Sequence, residues 1–233
     1  MPLPVPMPLS SSLCIVVPVL NEAQGIEATL QSLTPLRQRG ARVVVVDGGS
    51  QDDTRALAQA HADAVIEGPR GRALQMNAGA ALGWGEALLF LHADTTLPER
   101  ADAHLLQALS QGHVWGRFDV RIVGRPWMLA VVARLMNWRS RFTGIATGDQ
   151  AIFMRREAFA HVGGFAPQPL MEDIDLSQRL RAVGPPACLR QRVLTSGRRW
   201  EQRGVWRTIL LMWRLRWRYW RGESAQTLAR DYR

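Results

Sequence analysis

Residues 13–53 read LCIVVPVLNEAQGIEATLQSLTPLRQRGARVVVVDGGSQDD, and this stretch decides the fold. LCIVVPV (13–19) is rich in β-branched residues and has no charged position, as expected of a strand buried on both faces. Asn21-Glu22-Ala23-Gln24 has the spacing of a capping box, after which Ile26, Leu30 and Leu33 recur on one face of a helix. RVVVV (42–46) reads as a second buried strand ending at Asp47. Gly48-Gly49-Ser50 turns the chain, and Ser50 is placed to cap a helix whose first turn holds Asp52 and Asp53, where acids complement the helix dipole.

The alternation continues outward from this stretch. Ala64-Val65-Ile66 is a third strand, residues 71–82 suit a small-residue helix, and ALLFL (87–91) is a fourth strand running into His92-Ala93-Asp94. Strands alternating with helices predict an α/β fold with a mostly parallel sheet flanked by helices. In such sheets a ligand lies beyond the carboxyl ends of the strands. The polar residues fall there: Asn21 and Glu22 after the first strand, Asp47 after the second, Asp94 after the fourth. Past residue 112 the pattern loosens into a strand over 114–123, an apolar helix over 126–138, a short strand over 151–154 and a helix over 172–183 with carboxylates in its first turn. No repeat or low-complexity linker divides this region, so residues 1–203 read as one domain and 204–233 as a helical tail.

Composition narrows the class. With 233 residues and 47% hydrophobic content, the chain can bury a core, and wholesale disorder is excluded. Two cysteines, Cys14 and Cys188, cannot build a disulfide framework or a four-ligand zinc site, and Cys14 reads as a core residue. All 29 basic residues are Arg, and residues 187–233 hold 12 of them against 3 acids, an excess equal to the net charge of +9. That localisation points to an anionic surface, membrane or polyanion, as a partner. The start, MPLPVPMPLSSS, lacks the basic and long apolar regions of a signal peptide. The longest apolar run, Trp127–Ala133, falls well short of the roughly 20 residues a spanning helix needs. A cytoplasmic protein is expected, with a peripheral contact on the inner face of the plasma membrane as a further option.

Several residues have the chemistry of a site. Asp94, ending a buried strand beside small Ala93, suits a hard divalent cation that shares phosphate oxygens with a substrate; the competing role is a cap for Thr95-Thr96. Asp47 could accept hydrogen bonds from a base or ribose, or simply form the turn at Gly48-Gly49. Arg72 could pair with a phosphate or stay solvated. Glu172-Asp173-Ile174-Asp175 packs three carboxylates into four residues, which favours a raised pKa and general-base work, or merely a helix N-terminus. There is no G-x-S-x-G, Walker A or G-x-G-x-x-G signature, and the five His lack metal-ligand spacing.

Together, IVVPVLNE (15–22), VVVVDGGSQDDT (43–54), GRALQMNAG (71–79), LLFLHADT (88–95), TGDQAIFMRREAF (147–159), MEDIDLSQRL (171–180) and RRW (198–200) resemble the family-2 glycosyltransferases of the GT-A fold. The spacing of LLFLHADT and MEDIDL also resembles a small bacterial subgroup found beside radical-SAM and selenium-related genes. The resemblance implies transfer of a sugar, with inversion, from a nucleotide-diphosphate donor, UDP-linked by expectation, to an unspecified acceptor that a lipid could carry. It implies that Pro18, Asn21, Glu22, Asp47 and Arg72 line the nucleotide site. Asp94 would hold Mn²⁺ or Mg²⁺, and Asp173 would be the base. Gly148, Asp149, Glu172, Arg199 and Trp200 would shape the acceptor site. Two departures stand out: the family's D-x-D is His92-Ala93-Asp94, and its Asp-Asp-Gly-Ser is Asp47-Gly48-Gly49-Ser50. The Gln of the processive Q-x-x-R-W signature is not preserved before Arg199-Trp200.

In the tail, Trp206, Trp213, Trp217 and Trp220 share one helical side, joined by Ile209 and Leu210, with Arg between them. Such a helix suits an anionic membrane interface, or it closes the core with its Trp face while Arg meets water. No nucleic-acid recognition motif accompanies the charge. A nucleotidyltransferase on a related fold and a non-catalytic membrane- or polyanion-binding protein are the competing readings.

Overall fold

The computed structural model describes residues 12–232; apart from Ser12, the Pro-rich start read above lies outside the described residues. In the first half β1 (Leu13–Val19), α1 (Ile26–Ser32), α2 (Thr34–Gln38), β2 (Arg42–Asp47), α3 (Thr54–Gln59), β3 (Ala64–Glu67), α4 (Arg72–Ala81) and β4 (Ala87–Phe90) follow the expected alternation. The second half adds β5 (Thr95–Thr96), α5 (Ala101–Ser110), β6 (Trp115–Val123), α6 (Met128–Thr143), β7 (Phe153–Arg155), α7 (Arg156–His161), α8 (Glu172–Val183), β8 (Ala187–Ser196), α9 (Arg198–Arg203), α10 (Val205–Trp220) and α11 (Ala225–Tyr232). The strands form one sheet in the order β3-β2-β1-β4-β7-β6-β8-β5. β3, β2, β1 and β4 run parallel, as do β6 and β8, while β7 and β5 pair antiparallel with their neighbours.

Both faces of the sheet are covered, which explains the unbroken apolar runs. Alternate β1 residues go to opposite sides. Leu13, Ile15, Val17 and Val19 join Ile26 and Leu30 of α1, Leu33 just past its end, and Leu105 and Leu109 of α5. Cys14 and Val16 join Ala73, Met76 and Ala80 of α4 and Leu176 and Leu180 of α8. Burial pushes the Cys14 thiol up to about 11, consistent with a core residue. α4 reaches the sheet through Gly79, where a Cβ would stand 2.4 Å from Val16 Cγ1.

Two local expectations are corrected. Asn21-Glu22-Ala23-Gln24 forms no capping box: α1 starts at Ile26 behind Gly25 with no side-chain cap. Nor does Ser50 cap α3, whose N-cap is Asp53. The reason is that Val19 and Asp47 are register partners, so the loops after β1 and β2 lie side by side and bond to each other. Asn21 donates its N–H to Ser50 Oγ (2.9 Å) and accepts from the Gln51 N–H (2.9 Å), while Ser50 donates its hydroxyl to Asp47 (2.5 Å). The helix read over 126–138 runs on to Thr143 and stops at left-handed Gly144. The strand read over 151–154 is Phe153–Arg155.

The tail packs on the domain by the side opposite its tryptophans. Leu215 and, part-buried, Leu211 and Tyr219 meet Leu170, Met171, Ile174 and Leu228. Trp206, Leu210, Trp213, Trp217 and Trp220 remain exposed, so the tryptophans do not close the core; of the residues read with them, only Ile209 packs on it, beside Val205.

The sheet's second half rests on a buried charge. Arg117 on β6 is 0% exposed, and it is bonded to Asp119, to Ser140 Oγ (3.0 Å) and to the Asn137 carbonyl (3.1 Å). Asp119 also accepts from Arg141 (2.8 Å). Removing the anion strands a buried cation, so Asp119→Ala is expected to cost about 3–5 kcal/mol in urea unfolding. Arg141→Ala, at the solvent end of the network, is expected to cost under about 1 kcal/mol.

Candidate active site

The chain adds β2 and β3 on one side of β1 and then returns to place β4 on the other, so strand order reverses between β1 and β4. A crevice opens beyond the carboxyl ends of strands at such a switch point. A cleft is found there, walled by Pro18 near the end of β1 and Glu22 after it, by His92, Ala93 and Asp94 after β4, and by Arg72 at the start of α4. Asp149, Thr195, Ser196, Arg198, Arg199 and Trp200 complete it from the second half.

Of the residues singled out from sequence, Pro18, Glu22, Arg72, Asp94, Asp149, Arg199 and Trp200 therefore meet in one cleft. Asn21 and Asp47 do not line it: both hold the paired loops after β1 and β2, with Asn21 at φ +54°. Glu22 is paired with Arg198 (2.7 Å), a neighbour of Arg199-Trp200 that sequence reasoning passed over. Arg199 is steadied by α11: its guanidinium lies 5.2 Å from the Tyr232 ring centroid and donates to the Tyr232 hydroxyl.

The acidic pair opens α8, behind Met171 in the left-handed region at φ +65°. Glu172 is buried and pairs one oxygen with Arg72 Nε (3.0 Å), leaving its Oε2 without a partner. Burial, with Asp173 adjacent, raises the Glu172 pKa against the pull of Arg72. Asp173 Oδ2 accepts the Gly148 N–H (2.9 Å) and Oδ1 accepts the Ile174 N–H (2.8 Å), so its carboxylate is fixed in place. Gly148 owes its identity to the same site: a Cβ there would meet His92 Nε2 at 2.4 Å.

His92 was not anticipated as a site residue. Its Nδ1 stands 3.3 Å from Asp149 Oδ1. Burial opposes ionisation of Asp149, but the His92 hydrogen bond, with the charges of His92, Arg72 and Arg199, keeps its carboxyl below the usual range. Among the described residues no group of three His, Cys, Asp or Glu side chains is placed to hold a metal ion. A closed protein cage is thus absent there, and the donor set fits only a hard cation held by Asp94 and completed by water and substrate phosphate. Arg72, Arg198 and Arg199 bring three guanidinium groups to the same walls.

Comparison with known proteins accords with this geometry. Residues 14–163 match Glycosyl transferase family 2. The succinoglycan biosynthesis protein ExoA of Rhizobium meliloti is 34% identical over 196 residues, covering 75% of this chain and 59% of that protein. An uncharacterized glycosyltransferase of Mycobacterium tuberculosis is 30% identical over 131 residues, covering 54% and 58%. The chain thus spans about three fifths of the length of these relatives. Among solved structures, S. aureus TarS 1-349 in complex with UDP superimposes with a TM-score of 0.64 at 16% identity, covering 79% of this chain and 60% of that one, a likeness of fold. A Pyrobaculum calidifontis mannosyltransferase in complex with GDP-Man and Mn²⁺ gives 0.55 at 25% identity, covering 78% and 56%. The matched segment runs from β1 through α7 and carries both strand ends that form the cleft: the chain belongs to the family-2 glycosyltransferases.

Proposed function

We propose that the chain transfers a sugar from a nucleotide-diphosphate donor, UDP-linked in the first instance, to an acceptor hydroxyl with inversion at the anomeric carbon. One observation carries this reading: a switch-point cleft walled by three arginines and Asp94 adjoins a carboxylate, Asp173, held by the backbone of Gly148. The TarS complex with UDP and the mannosyltransferase complex with GDP-Man and Mn²⁺ support a nucleotide-sugar donor.

In this reading Pro18 and Glu22 flank the nucleotide, and its base and ribose extend past the cleft wall toward the paired loops that Asn21 and Asp47 hold. Arg72, Arg198 and Arg199 neutralise the charge that builds on the departing diphosphate, where fixed donors need no reorganisation. A Mn²⁺ or Mg²⁺ ion held by Asp94, when bound, would supply Lewis-acid stabilisation to the same leaving group. Asp173 still has lone pairs free after accepting its two backbone N–H bonds. It takes the acceptor's proton as the acceptor oxygen attacks the anomeric carbon opposite the breaking bond to the diphosphate. Gly148, Asp149 and Glu172 hold that base and the acceptor side of the cleft.

Calorimetric titration of UDP and of GDP, each with and without Mn²⁺, tests the donor site. One nucleotide is expected to bind with metal dependence, and Asp94→Ala to weaken it about tenfold or more. Failure of both to bind the folded protein would remove the reading. Asp173→Asn is expected to cut transfer by about 10²–10⁴-fold while leaving nucleotide affinity unchanged; retained turnover would exclude it as base.

We propose in addition that α10 rests on an anionic membrane. No helix among the described residues is long and apolar enough to cross one. The exposed Trp206, Trp213, Trp217 and Trp220 stripe is bordered by Arg207, Arg214 and Arg221, the last lying 5.1 Å over the Trp217 ring. α6 exposes a second stripe, Leu135, Trp138 and Phe142, following Trp127. Aromatic faces with flanking arginines suit the headgroup layer. Co-sedimentation with phosphatidylglycerol vesicles is expected to exceed that with phosphatidylcholine and to fall with salt. The Trp213→Ser/Trp217→Ser double variant is expected to lower it about tenfold or more; equal binding of both vesicle types would refute the contact.

A further inference from the structure

Two arginines near the proposed base have no anion of their own. Arg139 lies near the end of α6, and Arg216 lies in α10. Nε and Nη2 of Arg139 and Nε of Arg216 are buried without a hydrogen-bond partner, and neither side chain forms an ion pair among the described residues. Each feels the charge of Asp173, and Arg139 also feels Arg216. Burial, with Arg216 nearby, pushes the Arg139 guanidinium down to about 10, so it is still a cation at neutral pH. Asp173, joined by Asp149 for Arg216, offsets part of this charge through space, but its oxygens are bonded to the Gly148 and Ile174 backbone and not to either guanidinium. The third cation nearby, Arg117, is different: Asp119, Ser140 and Asn137 satisfy it.

Native structures seldom bury unpaired donors, and two part-buried guanidiniums in one region without a direct ion pair are rarer still. The donor's diphosphate is not their counterpart, since neither arginine lines the cleft that Arg72, Arg198 and Arg199 wall. Leu215 of α10 and Ile145 just past α6 cluster with Met171 and Ile174, which flank Glu172-Asp173, so both arginines lie on elements packed beside the base, in the proposed mechanism the acceptor's side. Two positive charges and at least three unused N–H donors match a phosphate monoester, with its three terminal oxygens and charge of about −1.5 to −2.

Resting on the transferase reading, we infer that Arg139 and Arg216 bind the phosphate of a phosphomonoester acceptor whose hydroxyl is presented to Asp173. The phosphate could come from a soluble metabolite or from a lipid headgroup, and the chemistry recognised is the same.

The test titrates the full chain with glycerol 3-phosphate, with glycerol, and with lysophosphatidic acid in phosphatidylcholine vesicles, each of the two phosphates pairing a hydroxyl with a phosphate monoester. Arg139→Gln and Arg216→Gln are compared with wild type, and UDP titration of every variant reports separately on folding and on the donor cleft. Wild type is expected to bind at least one phosphate and not glycerol. Each variant is expected to lose about tenfold or more of that affinity while still binding UDP as wild type does. Glycerol 3-phosphate is also expected to raise the thermal midpoint of wild type but not of either variant, a response that a purely structural arginine would not produce. Tighter binding of lysophosphatidic acid that both glutamine variants lose would identify a lipid source, since attraction of the α10 face to an anionic vesicle would survive them; equal or weaker binding would identify a soluble one. The inference is overturned if wild type prefers neither phosphate over glycerol, or if both variants bind phosphate as well as wild type. Loss of UDP binding by wild type would instead defeat the transferase reading, while arginine-dependent phosphate binding would still establish the anion site.

Discussion

Everything in the site depends on β1 being hydrogen-bonded in parallel on both edges, to β2 with Val19 opposite Asp47 and to β4 with Val16 opposite Phe90. A strand so placed must be apolar on both faces, and it must end level with its neighbours. The three loops that follow β1, β2 and β4 therefore open on the same side. The reversal of strand order beside β1 parts them and leaves a crevice. Glu22, His92 and Asp94 face one another across it because of backbone register, before any side chain chooses a rotamer.

The second constraint is charge. The cleft gathers Arg72, Arg198 and Arg199 against Glu22, Asp94 and Asp149, and direct pairs hold part of this set: Arg198 with Glu22, and Arg72 with Glu172 buried behind it. Such pairing keeps cations in a half-buried site without an occupant, yet leaves them able to turn to a phosphate. The arginines of the second half thus serve different ends, and three kinds stand out beside the unpaired Arg139 and Arg216. Arg117 is locked in the core, Arg199 is poised at the cleft under the grip of Tyr232, and Arg214 and Arg221 border an exposed aromatic face. A net charge alone could not have distinguished them.

Backbone strain gathers at the same place. Four non-glycine residues among the described ones adopt positive φ: Asn21, Arg100, Ala151 and Met171. Three of them adjoin residues of the site, preceding Glu22, following Asp149 and Gln150, and preceding Glu172. Left-handed backbone at a side-chain-bearing residue costs of order 1–3 kcal/mol and persists where surrounding structure enforces it. At Asn21 the enforcement is visible in its bonds to Ser50 and Gln51. These bonds also displaced the helix caps that local sequence favours.

The sequence by itself determined the parallel half of the sheet, because buried parallel strands need unbroken runs such as LCIVVPV and RVVVV that little else in a soluble chain requires. It also determined which strand ends carry polar residues, and through its motifs it pointed to Arg72, Asp94, Asp149, Glu172, Asp173, Arg199 and Trp200. Only the tertiary structure decided how α1 and α3 begin, since that turns on hydrogen bonds across 29 or 30 residues of chain. It alone placed β8: ACLRQRVLTS shows no strict apolar alternation, because Leu194 shares the exposed side with Arg190 and Arg192 while Val193 and Thr195 are buried. It alone brought His92 against Asp149, and Arg139 and Arg216 within reach of the charge of Asp173. It also decided which side of the tail helix is buried: amphipathic spacing marks an apolar Trp face, but whether that face meets core or solvent depends on what Leu211 and Leu215 find on the other side. Periodicity is a property of neighbours in sequence, whereas charge pairing and burial are properties of neighbours in space.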